Sequence, residues 1–531
     1  MKKFLKIAVA AAIGLLIGIT ASAEGVVRLP EDLKIIEAEA FAGDQSIVEV
    51  IVPRGAETIG SEAFADSSLR RINIPDTVAY IAPDAFDGCD IEQIVVSAGS
   101  YAAKYCTDKA LNCLITTPES VFTITVLENG CCEITDCSST DADIVIPEYI
   151  RGYRVSGIAW HAFYDMPSLK SIVIPESVTT IANHAFEWSW ALENVTMHDG
   201  ITYIGVGAFI HCQSLAQIEL PAQLEYLGAA SLADTGLTSV TVPDGIDEIC
   251  AGTFSSCRKL KEIILPEGIT AFGEGAFSYT GIEYFVVPET VTILEESLFN
   301  GCSSLLAVEL HENLTEIRKL AFSNCKSMIY VDIPRSVISI GYMAFFDCTG
   351  LQLVGLPGTI QNIDSSAFRG VENAFFVTER NSVALEYCKA KDKMILLEPN
   401  AESDFTVKKL TSTTCRITGY KGTAVDVFLP ETIGGRTVTE IGYKAFSGNT
   451  KIKSVSILNS VSTIGSKAFY GCKNLSYMQI TTDVTSISDS AFTGCDNLSH
   501  LIVVEFAEVA AASASVQTPV VDSVSMIEIK K

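Results

Sequence analysis

Four of the six histidines (His161, His184, His198 and His211) and all three tryptophans (Trp160, Trp188 and Trp190) lie between residues 160 and 211. Imidazoles can carry protons or ligate metals, and indoles beside them make adhesive contact surface. His161 and His184 each stand just before an Ala-Phe pair, 23 residues apart, so a repeating fold places them on adjacent turns. Two readings stay open for Trp160, His161, His184, Trp188 and Trp190. They form an interaction patch, or they decorate an edge of a repeat array, and the second is the plainer. A metal is not expected at this cluster. No cofactor is expected either.

The sixteen cysteines are the other candidates for chemistry. Eight of them stand three residues after a recurring Phe: Cys89, Cys212, Cys257, Cys302, Cys325, Cys348, Cys472 and Cys495. On stacked turns, equivalent side chains run parallel about 4.8 Å apart, whereas disulfide Cβ atoms sit about 3.5–4.5 Å apart. Cys302, Cys325 and Cys348 also form a run of three, which cannot all pair. These positions read as small buried hydrophobes. Cys131, Cys132 and Cys137 leave room for one local bridge.

Spacings that mark enzymes are missing. The chain has no His-Glu-x-x-His, Gly-x-Ser-x-Gly, Gly-x-x-x-x-Gly-Lys or Gly-x-Gly-x-x-Gly. Its carboxylates are scattered over turn positions. The expectation is a protein that is not an enzyme.

The elements that must position these residues repeat. Phe41, Phe64 and Phe86 form one set. Phe163, Phe186, Phe209, Leu232, Phe254, Phe277, Phe299, Phe322, Phe345 and Phe368 form a second. Phe446, Phe469 and Phe492 form a third, and the spacing within every set is 22 or 23. Such a period points to a solenoid. Leu305-x-x-Val308-x-Leu310 reads as a short strand with alternate side chains inward. Pro often ends it, as at Pro243, Pro266, Pro288 and Pro334, because proline cannot donate to a ladder. Val337-x-x-Ile340-Gly341 is a second apolar stretch, with Gly341 expected to permit a sharp corner. Ala344-Phe345-x-x-Cys348 closes the coil in a tight helical turn. A single coil cannot enclose its own core, so neighbours must stack.

Two breaks interrupt the pattern and resemble each other at an offset of 282 to 283 residues. One holds Ser100, Tyr105, Cys106 and Phe122; the other holds Ser382, Tyr387, Cys388 and Phe405. Each reads as a terminal helix capped by its serine, followed by a hairpin-like start. The expected organisation is a signal peptide over 1–23, then repeat blocks at 24–118, 119–398 and 399–506, the first two ending in a helix. Residues 507–531 are read as a poorly ordered tail.

Lys2, Lys3 and Lys6, the apolar run Ile7–Ile19 and Ala21-Ser22-Ala23 have the order of an export signal, cut after Ala23. The net charge of −27 disfavours nucleic acid and anionic membrane as partners. No later stretch reads as a membrane span.

The pattern Leu-x-x-Ile-x-Ile-Pro-x-x-Val-x-x-Ile-Gly-x-x-Ala-Phe-x-x-Cys resembles the BspA-like leucine-rich repeat family of bacterial surface proteins. It is seen here as Leu169, Ile172, Ile174, Pro175, Val178, Ile181, Ala182, Ala185 and Phe186. Ser231-Leu232 replaces Ala-Phe in one coil, and Ser189 replaces the cysteine in another. The resemblance implies a leucine-rich repeat solenoid, mostly of β coils with short helical turns. It also implies a secreted or surface protein that binds extracellular or host proteins or neighbouring cells, with no shared catalytic residues.

A second candidate surface is the outward face of the strand ladder: Ile264, Tyr284, Val286, Glu309, Tyr330, Asp332, Leu353 and Tyr477. Tyrosines flanked by acids and aliphatics suit a protein-binding strip. Ordinary β-propensity explains the same residues equally well. The resulting expectation is an adhesin-like recognition scaffold. The alternatives are a self-assembling envelope component and, with less support, a secreted hydrolase.

Overall fold

The computed structural model describes residues 20–21, 25–397, 399–457, 460–506 and 521–528. The chain divides into two compact units, Met1–Gly268 and Ile269–Lys531. The export-signal reading falls largely outside the described residues. Of that segment only Thr20–Ala21 is described, as a short strand antiparallel to Val26–Arg28.

In most coils the repeated apolar positions form two short parallel strands, one on each of two faces, and within each unit these strands are grouped into several separate sheets. In the second unit one ladder runs Tyr284–Val286, Ala307–Glu309, Tyr330–Asp332, Leu353–Gly355, Phe375–Val377 and Met394–Leu396. The other runs Ile293–Leu294, Glu316–Ile317, Ser339–Ile340 and Asn362–Ile363. In three strands of the longer ladder the middle residue (Val308, Val331 and Val354) is buried and its neighbours point outward, whereas at the ladder's end Phe375 and Met394 are buried as well. Period-two alternation therefore gives one dry and one wet face.

The closing turn forms a third ladder. Phe299 N–H donates to Ala321 O at 2.7 Å, Phe322 N–H to Ala344 O at 2.8 Å, and Phe345 N–H to Ala367 O at 2.8 Å. The rings stack in register: Phe299 to Phe322 at 5.4 Å, Phe322 to Phe345 at 5.1 Å, and Phe345 to Phe368 at 4.8 Å. Phe163, Phe186 and Phe209 stack the same way in the first unit, at 5.0 Å for each pair.

Gly341 has another role than the one expected. Its φ is not positive; the left-handed residues of this turn are Met343 and Asp347, at φ 51° and 55°. A Cβ at position 341 would lie 2.8 Å from Lys319 N, on the coil before. Close approach of the two backbones is what requires the glycine. With left-handed residues interrupting it, the turn is not a helix but a run of alternate i to i−3 hydrogen bonds: Ala344 N–H to Gly341 O, Phe346 N–H to Met343 O and Cys348 N–H to Phe345 O.

Both breaks carry the expected helix. Helix α1 (Tyr101–Asp108) is capped by Ser100, whose Oγ accepts from Ala103 N–H at 3.1 Å. Helix α2 (Val383–Ala390) is capped by Ser382, accepting from Leu385 N–H at 3.0 Å. Each helix lays a tyrosine edge-on against the last marker ring: Tyr105 on Phe86 at 6.2 Å, and Tyr387 on Phe368 at 6.1 Å. The aromatic column thus ends on a residue with a polar tip. Antiparallel hairpins follow, Phe122–Val126 with Cys131–Cys137 and Phe405–Lys409 with Thr414–Tyr420.

The segment read as a poorly ordered tail contains a strand. Val521–Glu528 pairs antiparallel with His500–Phe506 and covers that ladder's open edge. The rest of the tail lies outside the described residues.

All sixteen cysteines are free thiols, so the local bridge among Cys131, Cys132 and Cys137 does not form. Each marker cysteine donates its S–H to the carbonyl of the marker residue one coil back. The distances include 3.0 Å for Cys302 to Phe277, 3.2 Å for Cys325 to Phe299 and 3.0 Å for Cys348 to Phe322. Burial pushes the thiols of Cys257 and Cys302 up to about 11, and that of Cys325 well above its usual range. Ser189 makes the same bond to Phe163 O at 2.7 Å, which explains why serine serves there.

Candidate functional site

Two surfaces are built on this frame. In the second unit, parallel register aligns Tyr284, Ala307, Tyr330 and Leu353 in one row. Adjacent strands lie about 4.8 Å apart, so the two tyrosines stand roughly 10 Å apart. Beside them run Val286 next to Glu309, and Asp332 next to Gly355. Tyr284 is 57% exposed, Val286 53% and Tyr330 42%, while Leu353 is half-buried. Tyr284 Oη donates to Glu309 Oε2 at 2.8 Å, and that bond raises the phenol's pKa. Burial and then the Asp332 carboxylate raise that of Tyr330. The strip is an ordered surface of tyrosine, aliphatic and carboxylate groups.

Ile264 lies in the first unit. It is exposed and lines an open groove with Gln217, Glu219, Val240 and Pro243. Tyr477 is not on an exposed face at all. It is 3% exposed, and its hydroxyl donates to Lys393 O and reaches Gln479 Oε1. Fully buried Gln479 takes Ile395 N–H at 2.7 Å and donates back to Ile395 O. Tyr477 therefore belongs to a seam between the ladder's last strand and the following coils, as does Asp426, which pairs with Lys389.

Leu306 and Ile329 were overlooked as surface residues. Ile329 N–H donates to Leu306 O at 3.0 Å, so they adjoin, and both are more than two-fifths exposed. The available signal was an aliphatic residue just after the inward Leu305 and Met328.

The second surface is in the first unit. Trp160 stacks on His161 at 3.7 Å, and Tyr164 covers another side of that imidazole at 4.5 Å. His184 meets His161 edge-on at 5.8 Å. Glu187 Oε2 lies 3.5 Å from His161 Nε2 and 3.0 Å from His184 Nδ1. Trp188 stacks on His211 at 3.9 Å, whose Nδ1 is 2.8 Å from Asp234 Oδ2. Trp160, Trp188 and Trp190 are all exposed, at 61%, 42% and 51%. His198 takes no part in these contacts; its Nδ1 accepts from Gly200 N–H at 3.1 Å. Glu187 escaped notice in the sequence because its partners are set by coil register. No described helix is long and apolar enough to cross a membrane.

Among solved structures, the chain is similar to a leucine-rich repeat protein from Bacteroides ovatus at 22% identity. That match covers 72% of this chain and 92% of the other, with a TM-score of 0.48. A leucine rich cell surface protein from Faecalibacterium prausnitzii is 21% identical, over 75% and 96%, with a TM-score of 0.37. The leucine-rich repeat protein of T. pallidum is 27% identical, over 40% and 90%, with a TM-score of 0.31. No curated protein matches the chain in sequence. Six copies of the BspA type leucine rich repeat region match, at residues 34–150, 136–261, 179–306, 230–334, 270–385 and 429–518. With these matches extending over most of its length, the chain belongs to the BspA-type leucine-rich repeat family.

Proposed function

We propose that this chain is an exported recognition scaffold that binds an extracellular or host protein, or a protein on a neighbouring cell, in an adhesin-like role and without chemistry of its own. The observation that carries the reading is the ordered strip Tyr284–Glu309–Tyr330. Large aromatic side chains held on a rigid ladder lose little entropy on binding. Glu309 and Asp332 favour a partner face with basic groups beside an apolar patch. The family membership supports a scaffold role. The order of basic, apolar and small residues over Lys2–Ala23, which has the pattern of an export signal, supports export to the cell surface or beyond it.

The test is capture of matrix or mucus proteins by the mature chain. A partner retained by the wild type and released by a Tyr284→Ala, Tyr330→Ala double variant supports the reading. Self-association of the purified chain, with no retained partner, would favour an architectural role instead.

A further inference from the structure

The His161–His184–Glu187 cluster makes a demand that the recognition reading does not use. His184 Nδ1 is buried and has no hydrogen-bond partner. Glu187 Oε2 is only 3.0 Å away, yet it lies too far off the N–H direction to accept a bond. Hydrogen-bond partners lie along that axis. Co-ligands of a single ion do not, because both point at the ion between them. The three ligand atoms, one from each residue, lie within 4.8 Å of one another. Tetrahedral zinc, about 2.0–2.2 Å from its imidazole and carboxylate ligands, holds the ligand atoms roughly 3.5 Å apart, close to the 3.5 and 3.0 Å from Glu187 Oε2 to the two imidazoles.

The surroundings support the same geometry. The next coil carries Gly207 where this one carries His184, and a Cβ there would lie 2.7 Å from His184 Nδ1. Trp160 and Tyr164 hold the His161 ring between them. Side-chain exposure of 31%, 34% and 19% for the three ligands leaves one approach open to solvent.

We propose that His161, His184 and Glu187 bind a divalent transition-metal ion, zinc or a close analogue, with a coordination position left for water or a partner's donor group. The proposal sets aside the sequence expectation of no metal. His161 and His184 are 23 residues apart in sequence, and coil stacking replaces the short spacing that usually marks such sites.

The test is equilibrium dialysis of the full mature chain against zinc chloride. His184→Asn and Glu187→Gln serve as variants, since asparagine tolerates the left-handed backbone at position 184. His211→Asn, in the neighbouring His–Asp pair, is the control. The expected result is one zinc per chain, bound roughly tenfold or more weakly by the first two variants and unchanged in the control. With cobalt(II), the site should show the visible bands of nitrogen and oxygen ligation without a thiolate charge-transfer band. Thermal unfolding without metal reports whether each variant is folded. The proposal is overturned if the wild type binds no zinc, if Glu187→Gln binds it equally well, or if cobalt reports thiolate ligation.

Discussion

The thiol of Cys348 donates to the carbonyl of Phe322, one coil back, at 3.0 Å, and the same carbonyl accepts Cys325 N–H at 3.2 Å. Both lone pairs of a buried oxygen are thereby used. The bond ties one coil to the next at the point where the phenylalanine rings stack, and the buried sulfur stays a free thiol.

Denatured, unreduced protein should therefore give sixteen titratable thiols, whereas native protein should react slowly with iodoacetamide at neutral pH. Burial raises Cys257 and Cys302 to about 11, against about 8.5 in an unfolded chain. The folded state then holds these protons more tightly than the unfolded state does. Their contribution to stability is complete below about pH 8.5 and is lost as pH rises toward 11. Urea titrations between pH 8 and 11 should show the midpoint falling; a rising midpoint would contradict this.

Replacing Cys348 tests the bond itself. Cys348→Val keeps the bulk but removes the donor, and should cost about 0.5–1.5 kcal/mol. Cys348→Ser should retain the bond, as Ser189 does at 2.7 Å, and should bind Phe322 O in a crystal structure. Urea unfolding of both variants measures the difference.

The two kinds of backbone demand in a coil predict opposite effects. Gly341→Ala places a Cβ 2.8 Å from Lys319 N and should be destabilising. Lys467→Gly relieves a left-handed lysine at φ 56° and should gain up to about 1 kcal/mol. Equal effects in thermal melts would mean that the backbone contacts do not set the corner.

Gln479→Leu should cost about 1–3 kcal/mol, because it leaves Ile395 N–H and C=O buried without partners. Hydrogen exchange should then rise at Met394–Leu396 before it rises at Tyr330–Asp332.

The coil was readable from the sequence because every turn imposes the same steric demand at the same place. Phe322 and Phe345 each fill one layer, so the period is printed in the chain. The serine caps of both helices were readable for the same local reason. Tyr477 was misplaced because its burial depends on Lys393 and Gln479, and Lys393 lies 84 residues away. Gly341 was assigned the wrong task, since a close approach between coils leaves the same residue behind as a tight turn does. Glu187 reaches His161 only through coil register, so no linear spacing shows the pair.

The most direct measurement is the affinity of the mature chain for a captured partner, compared between wild type and the Tyr284→Ala, Tyr330→Ala double variant. A loss of roughly tenfold or more, with unchanged thermal unfolding, is the predicted result. Equal affinity in the two proteins would contradict the assignment of recognition to this strip.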